Sequence, residues 1–285
     1  MPLRLHVVCK GFVAEIHGVD LSVAPDHRTA GALRDAARSY AVMVLRDQDI
    51  DYESFLRFAG MFGTAGRCDD ISNLHEDGSI RVPTSLESRQ AAGNALWHTD
   101  MPMLVAPPLA AMLLAQEIPA TGGETQFADL AAALGALAPD MRRRLAKTNA
   151  VHELETIRRR MGLTDPGEIR GEYPPAEHPV VCLDPFSGRL SMLFGAHTSY
   201  FTGMSPEESS AMLDQLLRHS TQEEFVYTHR WRRYDLLMWN NRRVLHRVLP
   251  YGVATDRRRL WRAEVVGGRR PRRWPQSMRE LFARF

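Results

Sequence analysis

Three side chains in this sequence have the types and the spacing that bind a metal ion. His98 and Asp100 are separated by one residue, so on an extended segment both side chains point to the same side. His246 lies far along the chain and joins them if its own strand packs beside theirs. Two imidazoles and one carboxylate form the facial ligand set of non-haem Fe(II) sites, which leaves the opposite face of the metal open. The alternative is that these residues are structural. The first pair would then cap the end of a strand, and the histidine would be a hydrogen-bonded residue of the core.

Arginines follow the second histidine at the start of another predicted strand. On an extended segment Arg258 and Arg262 share one face, while Arg257 and Arg259 share the other. A guanidinium group matches a carboxylate with two parallel hydrogen bonds, so the inward face can bind anions at two depths. Alternation alone does not decide whether Arg258, or instead Arg257 and Arg259, faces inward. Thr125, which follows a tight Gly-Gly turn, can supply a hydroxyl group to the same region.

The elements that must position these residues are mostly short strands. Strands are predicted at residues 12–21, 41–46, 108–116, 125–127, 180–183, 190–194, 224–229, 236–239, 244–248 and 260–266. Helices are predicted at 29–40, 51–62 and 206–220 and from residue 129, with a mixed helical pattern at 148–172 and a polar loop at 67–94. Many short strands with helices outside them favour a mainly β fold with peripheral helices (α+β). The expected core is a jelly roll, that is, a cupin-like double-stranded β-helix.

Length, charge and cysteine content set broad limits. The 285 residues are expected to form one domain, 1–285, in which 267–285 is a basic C-terminal extension that forms a surface helix or a subunit contact of a homo-oligomer. A net charge of +2 and one short basic terminus give little reason to expect nucleic-acid binding. No apolar run reaches 18 residues, so we expect no membrane span. Three cysteines without a pairing pattern predict free thiols and a cytoplasmic protein.

The sequence also resembles a known family, the Fe(II)/2-oxoglutarate dioxygenases that include taurine dioxygenase and the 2,4-dichlorophenoxyacetate dioxygenases. The resemblance covers nearly the whole chain, and its motifs occur in the same order. They are Gly18-Val19-Asp20-Leu21, Leu45-Arg46-Asp47-Gln48, Phe58-Ala59, Phe62-Gly63, Trp97-His98-Thr99-Asp100, Gly122-Gly123-Glu124-Thr125 and Trp239-Asn240-Asn241-Arg242. An ordered series of this kind is far more specific than three ligand residues alone.

The resemblance implies a role for each candidate residue. His98, Asp100 and His246 would be the catalytic iron ligands. Thr125 and Arg258 would hold the distal carboxylate of 2-oxoglutarate. Fe(II), 2-oxoglutarate and O₂ are therefore the expected cofactor and co-substrates. A carboxylate at position 100 favours hydroxylation over halogenation, because related halogenases need a vacant position there.

The primary substrate is expected to be a small anionic molecule. Arg262 matches the family position that commonly meets the anionic group of the substrate. The loop sequence is closest to the phenoxyalkanoate branch, in which Arg81 and Arg89 are further candidates for a carboxylate contact. Hydroxylation would release succinate and CO₂, with C–O cleavage where the substrate is an aryloxyalkanoate. The alternatives are the same chemistry on a sulfonate, an alkyl sulfate or an amino-acid derivative, a metal protein independent of 2-oxoglutarate, and a non-catalytic binding module.

Overall fold

A computed structural model describes residues 3–9 and 11–273 of the chain. Its strands are β1 Arg4–Cys9, β2 Val13–His17, β3 Val42–Leu45, β4 Thr64–Ser72, β5 Ala110–Glu117, β6 Thr125–Asp129, β7 Asn149–His152, β8 Ala176–Pro179, β9 Val181–Leu183, β10 Leu190–Met192, β11 Thr198–Phe201, β12 Val226–His229, β13 Leu236–Asn240, β14 Val244–Val248 and β15 Arg259–Val266. Its α-helices are α1 His27–Ser39, α2 Tyr52–Gly60, α3 Leu86–Ala91, α4 Leu130–Ala136, α5 Pro139–Leu145, α6 Leu154–Arg160, α7 Pro166–Ile169 and α8 Pro206–Ser220.

Two sheets form the centre of the molecule. The larger has seven strands in the order β1-β2-β3-β13-β5-β15-β4, and the smaller has three in the order β12-β6-β14. All of these pairings are antiparallel except that between β2 and β3. Strands that neighbour one another in a sheet are often distant in sequence, as expected for a jelly roll. The predicted fold class is confirmed.

Alternation along the strands divides the large sheet into two faces. On β13, Leu237 and Trp239 point toward the small sheet, where the Trp239 ring lies 5.5 Å from the ring of Phe127. Leu236 and Met238 point the other way and pack in the cluster that contains Phe55 and Phe58 of α2. A third cluster, which includes Phe194 and Leu213, covers the outer face of the small sheet. The metal and anion candidates lie between the two sheets.

The predicted polar loop at 67–94 is wrong at both ends, because β4 occupies its beginning and α3, Leu86–Ala91, lies near its end. Residues up to Ser72 belong to β4, an edge strand that pairs with β15. The strand is polar because its partner carries arginines: Asp69 pairs with Arg262, and Asp70 pairs with Arg259. Charged edge strands also resist pairing with other chains. Residues 148–172 are likewise not all helical, because Asn149–His152 form β7.

The predicted helices are confirmed, with local signals at their ends. The Asp51 side chain accepts a hydrogen bond from the Ser54 amide at the start of α2, and Asp129 caps α4 in the same way. At the start of α8, Ser205 and Glu208 form a capping box. Residues 267–273 form no helix, and the rest of the predicted C-terminal extension, 274–285, lies outside the described residues. No described helix combines the length and the hydropathy that a membrane crossing requires.

Candidate metal and co-substrate site

His98 and His246 are held opposite one another by their own backbones. Each amide donates to the other residue's carbonyl, at 3.0 and 2.9 Å, which makes an isolated antiparallel bridge. The two ring centroids are 4.1 Å apart. His246 belongs to β14, but residues 98–100 form no strand beyond this bridge. Gly195 permits the arrangement, because a Cβ there would lie 3.2 Å from the His98 Cα.

Asp100 is positioned by a buried amide that the sequence motif contained without revealing its function. Asn241 accepts a hydrogen bond from the Asp100 amide at 2.9 Å and donates to the Asp100 carbonyl at 3.0 Å. The next residue, Met101, has a φ of +48°, so the chain turns sharply after the carboxylate. Asn241 thus fixes the backbone of Asp100 from both sides. The prediction that His98 and Asp100 lie on one strand is therefore wrong. His98 forms an isolated β-bridge, and Asp100 lies in a turn held by Asn241.

The three donor groups converge closely enough for one ion. Asp100 Oδ1 lies 3.7 Å from Nε2 of His98 and 3.5 Å from Nε2 of His246. Ligand atoms of all three residues lie within 4.8 Å of one another. The second carboxylate oxygen, Oδ2, is buried without a hydrogen-bond partner among the described residues. A divalent cation would satisfy that oxygen, and the donor set matches the two-histidine, one-carboxylate facial triad.

The protonation states also favour metal binding. Burial, together with the charge of His246, lowers the pKa of His98 to about 4. Burial alone would raise the pKa of Asp100, but the two histidines beside it hold that pKa below its usual range. Nδ1 of His98 lies 2.7 Å from the Leu96 carbonyl and donates to it, which leaves the Nε2 lone pair free. A neutral imidazole and an ionised carboxylate are the forms that bind metals.

A hydroxyl and a guanidinium group line the same cavity as the triad. Thr125 is 3% exposed and Arg258 is 5% exposed. Burial lowers the pKa of Arg258 to about 10, and no carboxylate among the described residues pairs with it. Its Nε has no hydrogen-bond partner in the described part of the chain, and the side chain passes Gly123, where a Cβ would lie 3.4 Å from that atom. The cavity therefore contains a buried cation without an anion.

The facing of the arginines follows from the strand alternation. Arg257 pairs with Glu117, and Arg259 pairs with Asp70 on the exposed side. Both of these arginines line an open groove of about 740 Å³ that contains none of the triad residues. Arg258 alone of the three consecutive arginines reaches the cavity of the triad.

Arg262 also lines the cavity, but it already has an acidic partner. Its Nε and Nη2 donate to the two oxygens of Asp69, each at 2.6 Å. Burial opposes the charge of Arg262, yet the hydrogen bonds and the charge of Asp69 outweigh this effect and raise its pKa. This fork uses one edge of the guanidinium group. Nη1 makes no hydrogen bond within the described residues.

The two remaining substrate candidates lie elsewhere. Arg81 donates to the Ser72 carbonyl at 3.1 Å, and Arg89 forms an ion pair with Glu168. Neither side chain lines the cavity of the triad. His197 does lie near the triad, with its ring centroid 6.2 Å from that of His98, and burial lowers its pKa to about 3.

A jelly roll that gathers two histidines, a carboxylate and an unpaired arginine in one cavity defines a class, the mononuclear metal-dependent oxygenases of the double-stranded β-helix fold. The family model described as taurine catabolism dioxygenase TauD, TfdA family matches residues 3–263. The chain belongs to this family. It is accordingly a 2-oxoglutarate-dependent dioxygenase that uses Fe(II) and O₂.

Similar proteins include two curated relatives and one solved structure. The chain is 34% identical over 272 residues to the alpha-ketoglutarate-dependent 2,4-dichlorophenoxyacetate dioxygenase of Cupriavidus pinatubonensis, covering 90% of this chain and 94% of the relative. It is 32% identical to the (S)-phenoxypropionate/alpha-ketoglutarate-dioxygenase of Sphingobium herbicidovorans, covering 90% and 92%. The crystal structure of AAD-2 in complex with Mn(II) and N-oxalylglycine superposes with a TM-score of 0.89 at 32% identity, covering 97% of this chain and 100% of AAD-2.

Proposed function

We propose that His98, Asp100 and His246 hold Fe(II), and that Thr125 and Arg258 bind the distal carboxylate of 2-oxoglutarate. The observation that carries this proposal is the buried Arg258, which has no acidic partner in residues 3–9 and 11–273 and shares a cavity with the three converging donors. A buried cation is destabilising unless an anion accompanies it. The dicarboxylate co-substrate supplies one carboxylate for the guanidinium group and the other for the metal.

The chemistry that Fe(II) supplies when bound is the activation of O₂ coupled to decarboxylation of 2-oxoglutarate, which gives succinate, CO₂ and a hydroxylated product. The protein positions the reactants. Arg258 and Thr125 fix the far end of the co-substrate by charge-assisted hydrogen bonds. Arg262 offers its free guanidinium edge to the anionic group of the primary substrate. Leu113 and Trp239 line the same cavity with apolar surface.

The substrate class we propose is an aryloxyalkanoate, in line with the substrates named for the two relatives. Hydroxylation of the carbon that bears the ether oxygen gives a hemiacetal or hemiketal, which collapses to a phenol and a 2-oxo acid. Arg262 is the favoured carboxylate contact because it lines the cavity. Contacts of Arg81 and Arg89 with the substrate stay predictions, and their present partners outside the cavity do not favour them.

The test is a turnover assay with Fe(II), ascorbate, O₂ and 2-oxoglutarate. Its panel contains aryloxyacetates, both enantiomers of 2-aryloxypropionates, alkyl sulfonates, alkyl sulfates and N-acyl amino acids. Succinate and released phenol are measured separately. We expect equal amounts of the two products with at least one aryloxyalkanoate, and no turnover when 2-oxoglutarate is omitted.

The other results of this assay have distinct meanings. Succinate formed only with a sulfonate, a sulfate or an amino-acid derivative would replace the substrate class and keep the reaction. Undiminished turnover without 2-oxoglutarate would refute the role of Thr125 and Arg258. A His98→Ala variant with unchanged metal binding and turnover would refute the triad.

Three broader features belong to the same proposal. The chain acts as a single domain, 1–285, with 267–285 as an extension. The three cysteines are free, which supports a cytoplasmic location.

A homo-oligomer is supported by the exposed apolar side chains Leu5 and Val7 on the edge strand β1. Sedimentation velocity measures the oligomeric state, and a monomer at micromolar concentration would overturn that part.

A further inference from the structure

The hydroxyl group of Thr125 already has one hydrogen-bond partner, and the chemistry of that partner sets the direction of the bond. Nε1 of Trp231 lies 3.0 Å from Oγ1 of Thr125. An indole N–H only donates, so the threonine oxygen must accept at this contact. The proton of the hydroxyl group therefore remains available to another acceptor. A carboxylate in the cavity only accepts, and it needs a donor of this kind.

Trp231 is itself braced by buried polar groups. The residue lies two positions beyond the end of β12, and its ring meets that of His229 edge to face at 4.7 Å. Nε2 of His229 lies 3.1 Å from the carboxylate of Asp235, which is fully buried and also pairs with Arg46. Because an ionised carboxylate only accepts, this nitrogen carries the imidazole proton. The other nitrogen accepts from the Tyr227 hydroxyl at 3.2 Å.

The loop that carries the indole is closed by the same carboxylate. The Arg232 amide donates to Asp235 at 2.7 Å, and the Asp235 amide donates back to the Arg232 carbonyl at 3.1 Å. His229 also lies directly opposite Thr125 in the pairing of β12 with β6. The indole of Trp231 is thus held by its contact with the His229 imidazole and by the hydrogen-bonded turn that follows it. In this position its N–H donates to Thr125.

We propose that Trp231 is a positioning residue for 2-oxoglutarate: its N–H occupies a lone pair of the Thr125 hydroxyl and turns the hydroxyl proton toward the distal carboxylate. The inference rests on the proposed role of Thr125. Hydrogen bonds in such a chain polarise one another, so loss of the first weakens the second. One neutral hydrogen bond of this kind corresponds to about a threefold to tenfold change in affinity.

The test is a double-mutant cycle read out by binding. The dissociation constant of 2-oxoglutarate is measured by calorimetry on Mn(II)-loaded wild type, Trp231→Phe, Thr125→Val and the double variant. We expect Trp231→Phe to weaken binding about threefold to tenfold when Thr125 is present, and less than twofold in the Thr125→Val background. Equal weakening in both backgrounds, or no weakening in either, would overturn the proposal.

Controls separate a lost hydrogen bond from lost packing. Trp261→Phe removes an indole that packs edge to face on Tyr52 at 5.2 Å, against the cluster that contains Phe55 and Phe58. This variant should leave the dissociation constant unchanged. Replacing Trp231 by 3-benzothienylalanine keeps the bicyclic ring and removes only the N–H. It should reproduce the effect of Trp231→Phe, and wild-type affinity would overturn the proposal. Wild-type affinity of Thr125→Val would instead refute the proposed role of Thr125 itself.

Discussion

Replacing Arg258 by methionine should weaken the binding of 2-oxoglutarate without destabilising the fold. Methionine reproduces the apolar stem of arginine and is shorter by the guanidinium end, and that group has no hydrogen bond or ion pair within the described residues that the change would break. Burial lowers the pKa of Arg258 to about 10, which corresponds to a penalty on the order of 3 kcal/mol against the charged form. The arginine is charged in both the folded and the unfolded chain at pH 7.5, so the penalty applies in full there. It would begin to fall only as the pH rises past about 10.

Two measurements test this expectation. Urea unfolding of the metal-free protein at pH 7.5 should show the Arg258→Met variant to be as stable as wild type, or more stable by up to about 3 kcal/mol. Calorimetry on the Mn(II)-loaded protein should show 2-oxoglutarate binding weakened by about tenfold to a hundredfold. That range corresponds to the roughly 1.5–3 kcal/mol of a hydrogen bond to a charged group.

The neighbouring arginine provides a matched control. Arg259→Met removes the same charge from the adjacent position, but Arg259 is exposed and paired with Asp70. Its removal should change stability by less than about 1 kcal/mol and leave the dissociation constant of 2-oxoglutarate within twofold. A destabilised Arg258→Met variant with normal binding would refute the reasoning. So would a larger loss of binding in Arg259→Met than in Arg258→Met.

Three further predictions concern the substrate, the core and pH. Arg262→Ala should raise the KM of the primary substrate far more than that of 2-oxoglutarate, and the reverse pattern would exchange the roles of Arg262 and Arg258. Asp129→Ala removes both a buried fork to Arg243 and the cap of α4, so urea unfolding should show a loss of about 4 kcal/mol; a loss below about 1 kcal/mol would contradict this. Several buried histidines have a pKa lowered chiefly by burial, so below about pH 6.5 the unfolded chain binds more protons than the folded one. They are His98, His152, His178, His197 and His229. The stability of the metal-free protein should therefore fall as the pH drops from about 6.5, by up to roughly 1.4 kcal/mol per pH unit for each histidine, and constant stability from pH 7 to 5 in urea titrations would contradict this.

Much of the architecture could be predicted because local patterns and long-range packing agree. The apolar run of β13 predicts a buried central strand, and the amphipathic pattern of α2 predicts a helix packed on the outside of the sheet. The acidic caps mark where helices begin. The strand β4 could not be recognised, because its polar side chains are explained only by the arginines of β15 opposite them. Sequence patterns do not show which distant strand supplies a partner.

The sequence indicated which three side chains converge in the cavity, but it indicated less of how the backbone brings them together. Strand alternation predicted that either Arg258 or its two neighbours face the cavity. In the structure Arg257 and Arg259 form ion pairs with carboxylates outside the cavity, and Arg258 faces inward. The extended segment expected through His98 proved to be a single bridge, because Asn241 turns the chain at the following carboxylate. The donation from Trp231 to the threonine hydroxyl spans more than a hundred residues. No local pattern reports a contact of that kind.

The most direct test of the central claim is a crystal structure of the protein with Mn(II) and N-oxalylglycine, with anomalous diffraction measured for manganese. The account predicts one strong anomalous peak bonded to His98, Asp100 and His246. It further predicts that the distal carboxylate of N-oxalylglycine forms a fork with Arg258 and accepts a hydrogen bond from Thr125. A peak away from the three donors, or a distal carboxylate bound by Arg262, would contradict it.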